Sequence, residues 1–407
     1  MANALKPGDA KDVETAVQWA LGEGKALEIV GAGSKRTIGR PSQTDATLDV
    51  SGLSGVTLYE PEELVLSAKA GTSLAEIETL LAANQQELAF EPPDYGALLG
   101  GTGGATIGGV VAANLSGPRR IKAGAARDHF LGVTAVSGRG ETFKSGGRVV
   151  KNVTGYDLCK LIAGSWGTLA VMAEVTLKVL PRAETTATVL ALGLDSATAV
   201  TAMTQAMGST CDVSGAMHLP ASVAARMPVP EIAAAGVSVT ALRLEGVAPS
   251  VTHRRAMLEQ LLRPSDMLAA LDDAASQAFW RAVRDVAPFA HSGSDDRVLW
   301  RMSTAPAQGA ELAARLQAAC DAELLFDWAG GLIWAVLPPT DDAGAGMVRA
   351  ALGNTGHATL IRAPAAVRAA VDVFEPQAEG VAALTRRIKE GFDPRRVLNP
   401  GRMWAGV

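Results

Sequence analysis

Gly100–Arg120 reads GGTGGATIGGVVAANLSGPRR, and seven of its twenty-one residues are glycine. Without side chains in the way, backbone N–H groups can approach a ligand closely, and a nest of such amides favours anionic oxygen, a phosphate or pyrophosphate above all. A glycine-rich surface loop would carry Ser, Asp and Pro. Here Ile107, Val110, Val111, Ala112 and Ala113 are interleaved with the glycines, the composition of a buried wall around a polar guest. The GxxxxGK[ST] pattern of a P-loop is absent. Upstream, Ala26–Val30 predicts a strand running into GAGSKRTIGR at Gly31–Arg40. A dinucleotide fingerprint would need glycine where Arg36 stands and a helix where Pro41 forbids one, so that fold is excluded too.

Outward from this stretch, the first 180 residues alternate short strands and helices. Leu64–Ala70 predicts a strand, and Ser73–Gln86 a helix opened by Ser73 and Glu76 at capping-box spacing, with Leu74, Ile77, Leu80 and Leu81 on one stripe. Leu131–Ser137 and Leu169–Leu180 predict further strands, the second stopped by Pro181. Between them lie Gly155-Tyr156-Asp157 and Gly164-Ser165-Trp166-Gly167-Thr168-Leu169, separated by a helical turn, Leu158–Ala163, that carries Cys159 as a core residue.

Past Pro181 the glycine clusters disappear. Asp295–Pro364 predicts strand (Val298–Ser303), helix (Gly309–Ala319), strand (Leu324–Trp328), strand (Leu332–Leu337), helix (Ala345–Leu352) and strand (Ala358–Arg362). That βαββαβ order is ferredoxin-like, and Thr188–Leu262 repeats it more loosely. A mostly antiparallel sheet with helices on one face is expected. The last segment, RRIKEGFDPRRVLNPGRMW at Arg386–Trp404, predicts a basic helix and an extended tail that must lie against something to be ordered.

Composition bounds the function. A chain of 407 residues, 48% apolar and 19% charged, holds two or three domains. A net charge of −5 with 4% aromatic residues argues against nucleic-acid partners. Cys159, Cys211 and Cys320 have no CxxC spacing, so neither a disulfide framework nor a cysteine metal or cluster site is expected. No secretory leader is visible in MANALKPGDAKDVETAV. The most apolar segment, Glu323–Leu337, is too short to span a bilayer and reads as two strands with a tight turn. A cytoplasmic setting follows as the expectation, with any membrane reached only through partner subunits.

The three glycine elements, in this order and spacing over about Asp9–Arg182, resemble the vanillyl-alcohol-oxidase (PCMH-type) FAD-binding domain. The tail FDPRRVLNPGRM resembles that family's C-terminal return to the flavin. The resemblance implies an α+β chain: a PCMH-type FAD-binding domain (1–182), a ferredoxin-like α+β cap (183–385) and a returning C-terminal segment (386–407). It implies that the amides of Gly31, Ala32, Gly33, Ser34 and Lys35, with Thr102, Gly103, Gly104, Ala105, Gly108 and Gly109, hold the FAD pyrophosphate. Asn114, Ser116 and Gly117 would lie near the flavin ring with Arg127 and Asp128 behind them; Gly167, Thr168 and Val175 would flank the adenine side, and Asn399 would return with the tail. The first loop has no His and Leu115–Gly117 has no Cys, so the FAD is expected to be non-covalent.

Within the superfamily, GHATLIR at Gly356–Arg362 and the VTGYDL–GTL–EVTLKV string are similar to the FAD-binding subunits of glycolate-oxidising complexes. This implies oxidation of a small 2-hydroxy acid, glycolate to glyoxylate, together with a second FAD-containing subunit and an iron–sulfur subunit. The sequence departs from the pattern in catalysis. None of its five histidines, His129, His218, His253, His291 and His357, lies within four residues of another, so no metal site is expected. His357 and Arg362 are the candidates for base and carboxylate clamp, although five positions apart on a regular strand they would face opposite sides. Arg119-Arg120 with Lys122 reads as a solvated or docking face. A self-sufficient 2-hydroxy-acid dehydrogenase of D-lactate type, and a non-catalytic structural subunit, are the alternatives.

Overall fold

The computed structural model describes residues 3–101, 104–149, 155–263, 267–293 and 296–407. At the N-terminus, Asn3–Leu5, Ala46–Asp49 and Leu27–Val30 form a small parallel sheet in that spatial order. The helix Ala10–Glu23 lies against it, opened by Asp9, whose carboxylate accepts the Asp12 N–H, and closed by Gly24 at φ 63. Its buried Val13, Val17 and Ala20 recur at helical spacing and join Leu27, Leu48 and Val171 in one core.

A five-stranded antiparallel sheet follows, in the order Val56–Glu60, Val65–Lys69, Ala170–Lys178, Phe130–Ser137, Thr142–Gly146. The expected helix is shorter than read, Leu74–Ala82, because Asn84 and Gln85 turn the chain back; Ser73 Oγ accepts the Glu76 N–H at 3.1 Å. The glycine stretch contains a helix, Ile107–Ala113, whose Ile107, Val110 and Val111 are buried against the sheet.

The rest of the chain builds a single eight-stranded antiparallel sheet. Its order is Leu268–Leu271, Thr185–Leu192, Val239–Gly246, Gly215–Leu219, Glu323–Asp327, Leu332–Leu337, Val298–Thr304, Gly356–Arg362. Each half has the βαββαβ order, and the halves meet where His218 pairs with Phe326. Helices Ser196–Met207, Ala248–Leu261, Gly309–Ala319 and Ala345–Leu352 cover one face. One helix departs from the expected one-sided arrangement. Asp273–Arg284 sits on the opposite face, its Trp280 Nε1 donating to Thr188 Oγ1 at 2.9 Å.

The alternation along the second half decides what the opposite face presents. Leu324, Phe326, Ile333, Ala335, Val298, Trp300, Met302, Ala358 and Leu360 point to the helices and are buried. Their neighbours Asp327, Trp334, Arg301, Ser303, Thr359 and His357 share the other face, toward the N-terminal sheets. Among the described residues, no helix is long and apolar enough to cross a membrane.

Candidate functional site

A cavity opens where the first loop, the glycine helix, the Trp166 turn and the C-terminal tail converge. Its walls are Gly31–Arg36, Thr106, Gly108, Gly109, Ala112, Ala113, Trp166, Gly167, Ala170–Met172, Asn399 and Arg402. The parallel strand Leu27–Val30 delivers the first loop to this point. At Gly31 any Cβ would land on the Thr106 hydroxyl, so the first and second loops come together only because that position is bare. Gly108 is glycine for a different reason. A Cβ there would lie 2.7 Å from Ala70 Cβ and 2.8 Å from its carbonyl, which fixes the glycine helix against the strand end rather than against a guest. At Gly104 a Cβ meets only open space.

The tail is held by a buried clasp. Lys389 Nζ donates to Thr168 O (2.6 Å), Asp393 Oδ2 (2.8 Å) and Leu398 O (3.0 Å), while the same carboxylate accepts the N–H groups of Val397 and Leu398. Leu398 then bridges to Leu27. Asn399, in the left-handed conformation at φ 43, ties two walls together: its Oδ1 accepts the Ile29 N–H at 2.9 Å and its Nδ2 donates to Trp166 O at 2.8 Å.

Two cations face this cavity, Lys35 buried and Arg402 partly so. Among the described residues the Lys35 ammonium has only Ser34 Oγ within hydrogen-bonding reach, at 3.5 Å, and burial pushes its pKa down to about 8 despite the distant pull of Asp94. Arg402 stacks over Trp166, donates to Lys35 O at 3.0 Å, and is lowered by burial to about 10 against the pull of Glu28. Buried charges of one sign without a carboxylate partner call for an anion. A glycine-walled cavity with two such cations suits a pyrophosphate.

The other expected site residues divide by position. Gly31, Ala32, Gly33, Ser34, Lys35, Gly108, Gly109, Gly167 and Asn399 line the cavity. Thr102 and Gly103 lie outside the described residues. Asn114 sits at the end of the glycine helix at φ 48, its Oδ1 accepting the Arg127 N–H, while Ser116 Oγ accepts the Ala126 N–H. Asp128 caps its own short helix through the Ala125 N–H. Gly117 packs so closely on Glu91 that a Cβ would lie 2.8 Å from its carbonyl. Thr168 O serves the Lys389 clasp, Ala105 O accepts the Leu74 N–H, and Val175 is wholly inside the five-stranded sheet's core. Arg402 and Trp166, which sequence reasoning passed over, complete the cavity. Arg402 stood in the same RVLNPGRM tail as Asn399, with nothing local to distinguish it from a surface arginine.

The histidines separate by face. His218 turns to the helix side, bonds Thr240 Oγ1 at 2.9 Å, and is lowered by burial to about 4. His129 is buried against Phe90, with Ala123 O at 2.9 Å from its Nε2. His253 is exposed on its helix, and His291 packs on Gly100. His357 and Arg362 do not face opposite sides. A bulge at Ile361 shifts the register, so His357 pairs with Ser303 and Arg362 with Leu299, on one face. Arg362 spends its Nη1 on Leu98 O (3.0 Å) and Phe289 O (2.8 Å).

Arg119 corrects the reading of a solvated basic face. It is buried between the two parts of the chain, paired with Glu87 (2.7 Å) and Glu245 (2.7 Å), and Arg243 answers it by pairing with Glu91 at 2.6 Å. Sequence could not show this, since the carboxylates that pair with Arg119 come from residues 32 and 126 positions away. Only Lys122, half-exposed and paired with Asp212, fits the surface reading.

Residues 2–146 match the family model described as "FAD binding domain". This stretch is an FAD-binding domain. Over 173 residues the chain is 43% identical to glycolate oxidase subunit GlcE of Escherichia coli, covering 42% of this chain and 47% of that protein. It is 35% identical over 135 residues to glycolate oxidase subunit GlcD of Bacillus subtilis, covering 33% of this chain and 28% of that one. The matched stretch thus spans about half, or less, of the length of these curated relatives. The fold extends further than the sequence similarity. 4-Ethylphenol oxidase from Gulosibacter chungangensis superposes with a TM-score of 0.72 over 99% of this chain and 89% of that one, at 13% identity. p-Cresol methylhydroxylase superposes at 0.70 over 99% and 88%, also at 13% identity. The chain therefore has the PCMH-type fold, α+β throughout, and its cofactor is FAD.

Proposed function

We propose that this chain is the FAD-carrying subunit of a glycolate-oxidising complex. In this reading it binds FAD non-covalently in the cavity described above and works with a second FAD-containing subunit and an iron–sulfur subunit. The observation that carries it is the convergence of two cations on one glycine-walled cavity, Lys35 from the first loop of the stretch that matches the FAD-binding family and Arg402 from the returning C-terminal tail. The likeness to GlcE and GlcD supplies the substrate class, a small 2-hydroxy acid.

The amides of Gly31–Lys35 and the helix carrying Gly108 and Gly109 would cradle the pyrophosphate, with Lys35 and Arg402 as counter-charge. Asn114, Ser116 and Gly117 stand between this cavity and the polar face of the large sheet, which suits the ring end. Bound FAD supplies a two-electron acceptor. The chain's own residues would hold the ring against the large sheet, with Arg362 bracing Leu98 and Phe289 so that the two parts stay in register, and His357 as the imidazole of that face.

The test is flavin quantitation on the purified chain, alone and coexpressed with partner subunits, followed by anaerobic mixing with glycolate. FAD retained by the chain alone supports the reading, and bleaching only in the presence of partners assigns it a relay role. A chain that neither retains nor takes up FAD refutes it. Bleaching by glycolate without partners assigns a self-sufficient dehydrogenase instead.

A further inference from the structure

We propose that Arg301 and Arg120 form a recognition site for the carboxylate of a small organic acid, beside Trp328 on the sheet face that meets the FAD-binding domain. The proposal deepens the functional reading above and rests on it for the identity of the acid, but its geometry is independent of the flavin cavity.

Arg301 sits in the middle of the strand Val298–Thr304, paired on one side with Trp334 and on the other with Thr359. This is a sheet interior, a costly place for a guanidinium. Its aromatic neighbours are close: the Arg301 guanidinium carbon lies 5.0 Å from the centroid of Trp328 and 5.9 Å from that of Trp334. A second guanidinium, Arg120, stands 4.3 Å from the same Trp328 ring. The two cations therefore share one indole although one comes from the large sheet and the other from the loop after the glycine helix. Trp328 is itself fixed across the boundary, its Nε1 donating to Gly117 O at 3.1 Å.

What is missing is an anion. Among the described residues, neither guanidinium has a carboxylate within ion-pairing distance or an acceptor within hydrogen-bonding distance. The contrast with Arg119 and Arg243 is sharp, since those arginines are paired with Glu87, Glu91 and Glu245. The nearest acid on the face is Asp327, which bonds the Trp328 N–H at 2.7 Å. Burial raises its pKa to about 7, so it is only partly ionised at neutral pH and answers Arg301 at a distance rather than as a direct ion pair. Tyr95, edge-on to Trp334 at 5.7 Å, adds a phenol with no hydrogen bond to any described residue. His357 lies one row along the same face, its protonation disfavoured by burial and by Arg301 and Arg120. Two guanidiniums held on aromatic planes present fixed forks of donors, the geometry that selects a planar carboxylate.

The probe is oxalate, which has the two carbons and carboxylate of glycolate but no hydroxyl to oxidise. Isothermal titration into the full chain, with flavin content recorded by absorbance, should give one site. Arg301→Met should weaken it by about tenfold to a hundredfold with flavin content unchanged. Arg301→Lys, which keeps charge but not the planar fork, should fall between. Arg120→Gln, on a partly exposed turn, tests the second cation without touching the sheet and should weaken binding in the same direction. Inorganic phosphate at the same concentration should not displace oxalate. No uptake of oxalate by the wild-type chain, or equal uptake by Arg301→Met and Arg120→Gln, overturns the proposal while leaving FAD binding intact. A chain without flavin that still binds oxalate through Arg301 overturns the functional reading and leaves this site standing.

Discussion

Replacing Lys35 by Met should move flavin affinity and fold stability in opposite directions. The ammonium is buried with Ser34 Oγ at 3.5 Å as its only hydrogen-bonding contact among the described residues, and its pKa falls from 10.5 to about 8. Keeping it charged at pH 7 in the flavin-free chain therefore costs about 3 kcal/mol, at 1.36 kcal/mol per factor of ten. Lys35→Met removes that cost, so the flavin-free variant should be more stable at pH 7 by roughly 1–3 kcal/mol in urea denaturation. The sign also sets a pH signature. A lysine whose folded pKa lies below its unfolded one gives the flavin-free wild type extra stability as pH rises from 8 to 10.5, and the variant lacks that rise. Flavin binding goes the other way. An anionic pyrophosphate against the ammonium forms a charge-assisted contact of about 1.5–3 kcal/mol, so Lys35→Met should weaken FAD about tenfold to a hundredfold. The bound anion raises the lysine pKa, so wild-type affinity should hold below pH 8 and decline above it. Lys35→Arg should keep affinity with a flatter profile, since guanidinium does not titrate there. Fluorescence titration of FAD from pH 7 to 9.5 reads all three. A wild-type profile flat across that range, or a Lys35→Met chain that loses stability while keeping full affinity, would refute the assignment of this lysine to the pyrophosphate.

Gly31→Ala should abolish flavin retention because its Cβ collides with the Thr106 hydroxyl, and the double variant with Thr106→Ala, which leaves the nearest remaining atom at 3.4 Å, should recover it. Flavin absorbance after gel filtration distinguishes the two. Lys389→Met strands a fully buried Asp393 and should cost about 3–5 kcal/mol; trypsin should then cut near Arg395-Arg396 faster, and adding Asp393→Asn should restore part of the loss. Burial alone would raise the Glu245 pKa, yet Arg243 and Arg119 pull it down to about 2. Its contribution is present above pH 4.5 and lost as pH falls toward 2, so the stability gap between wild type and Glu245→Gln should close over that range in acid titrations followed by circular dichroism.

The elements that local chemistry specifies were legible. Ser73 caps its helix, Glu323–Asp327 and Leu332–Leu337 form the hairpin predicted from ELLFDWAGGLIWAVL, and the second βαββαβ unit has the strand and helix order read from its alternation. The parity argument for His357 and Arg362 failed for a definite reason. A bulge adds one residue to the strand and reverses the side on which everything beyond it points, and nothing in GHATLIR announces it. Arg119-Arg120 failed differently: adjacent arginines look alike in sequence, yet one is locked among three carboxylates and the other stacks on an indole.

Gly100–Arg120 determined by itself that bare amides and small apolar side chains would line a site for an anion, because glycine spacing and the exclusion of other nucleotide motifs are properties of the chain alone. Which glycines line the cavity was decided by packing: Gly108 and Gly109 do, with Gly108 also pressed on Ala70, while Gly104 borders open space and is not part of the cavity wall. The charges followed the same division. Their number is written in the sequence, but whether an arginine is answered by a carboxylate depends on which distant residues the fold brings within a few ångströms, and that is what separates Arg119 and Arg243 from Arg120 and Arg301.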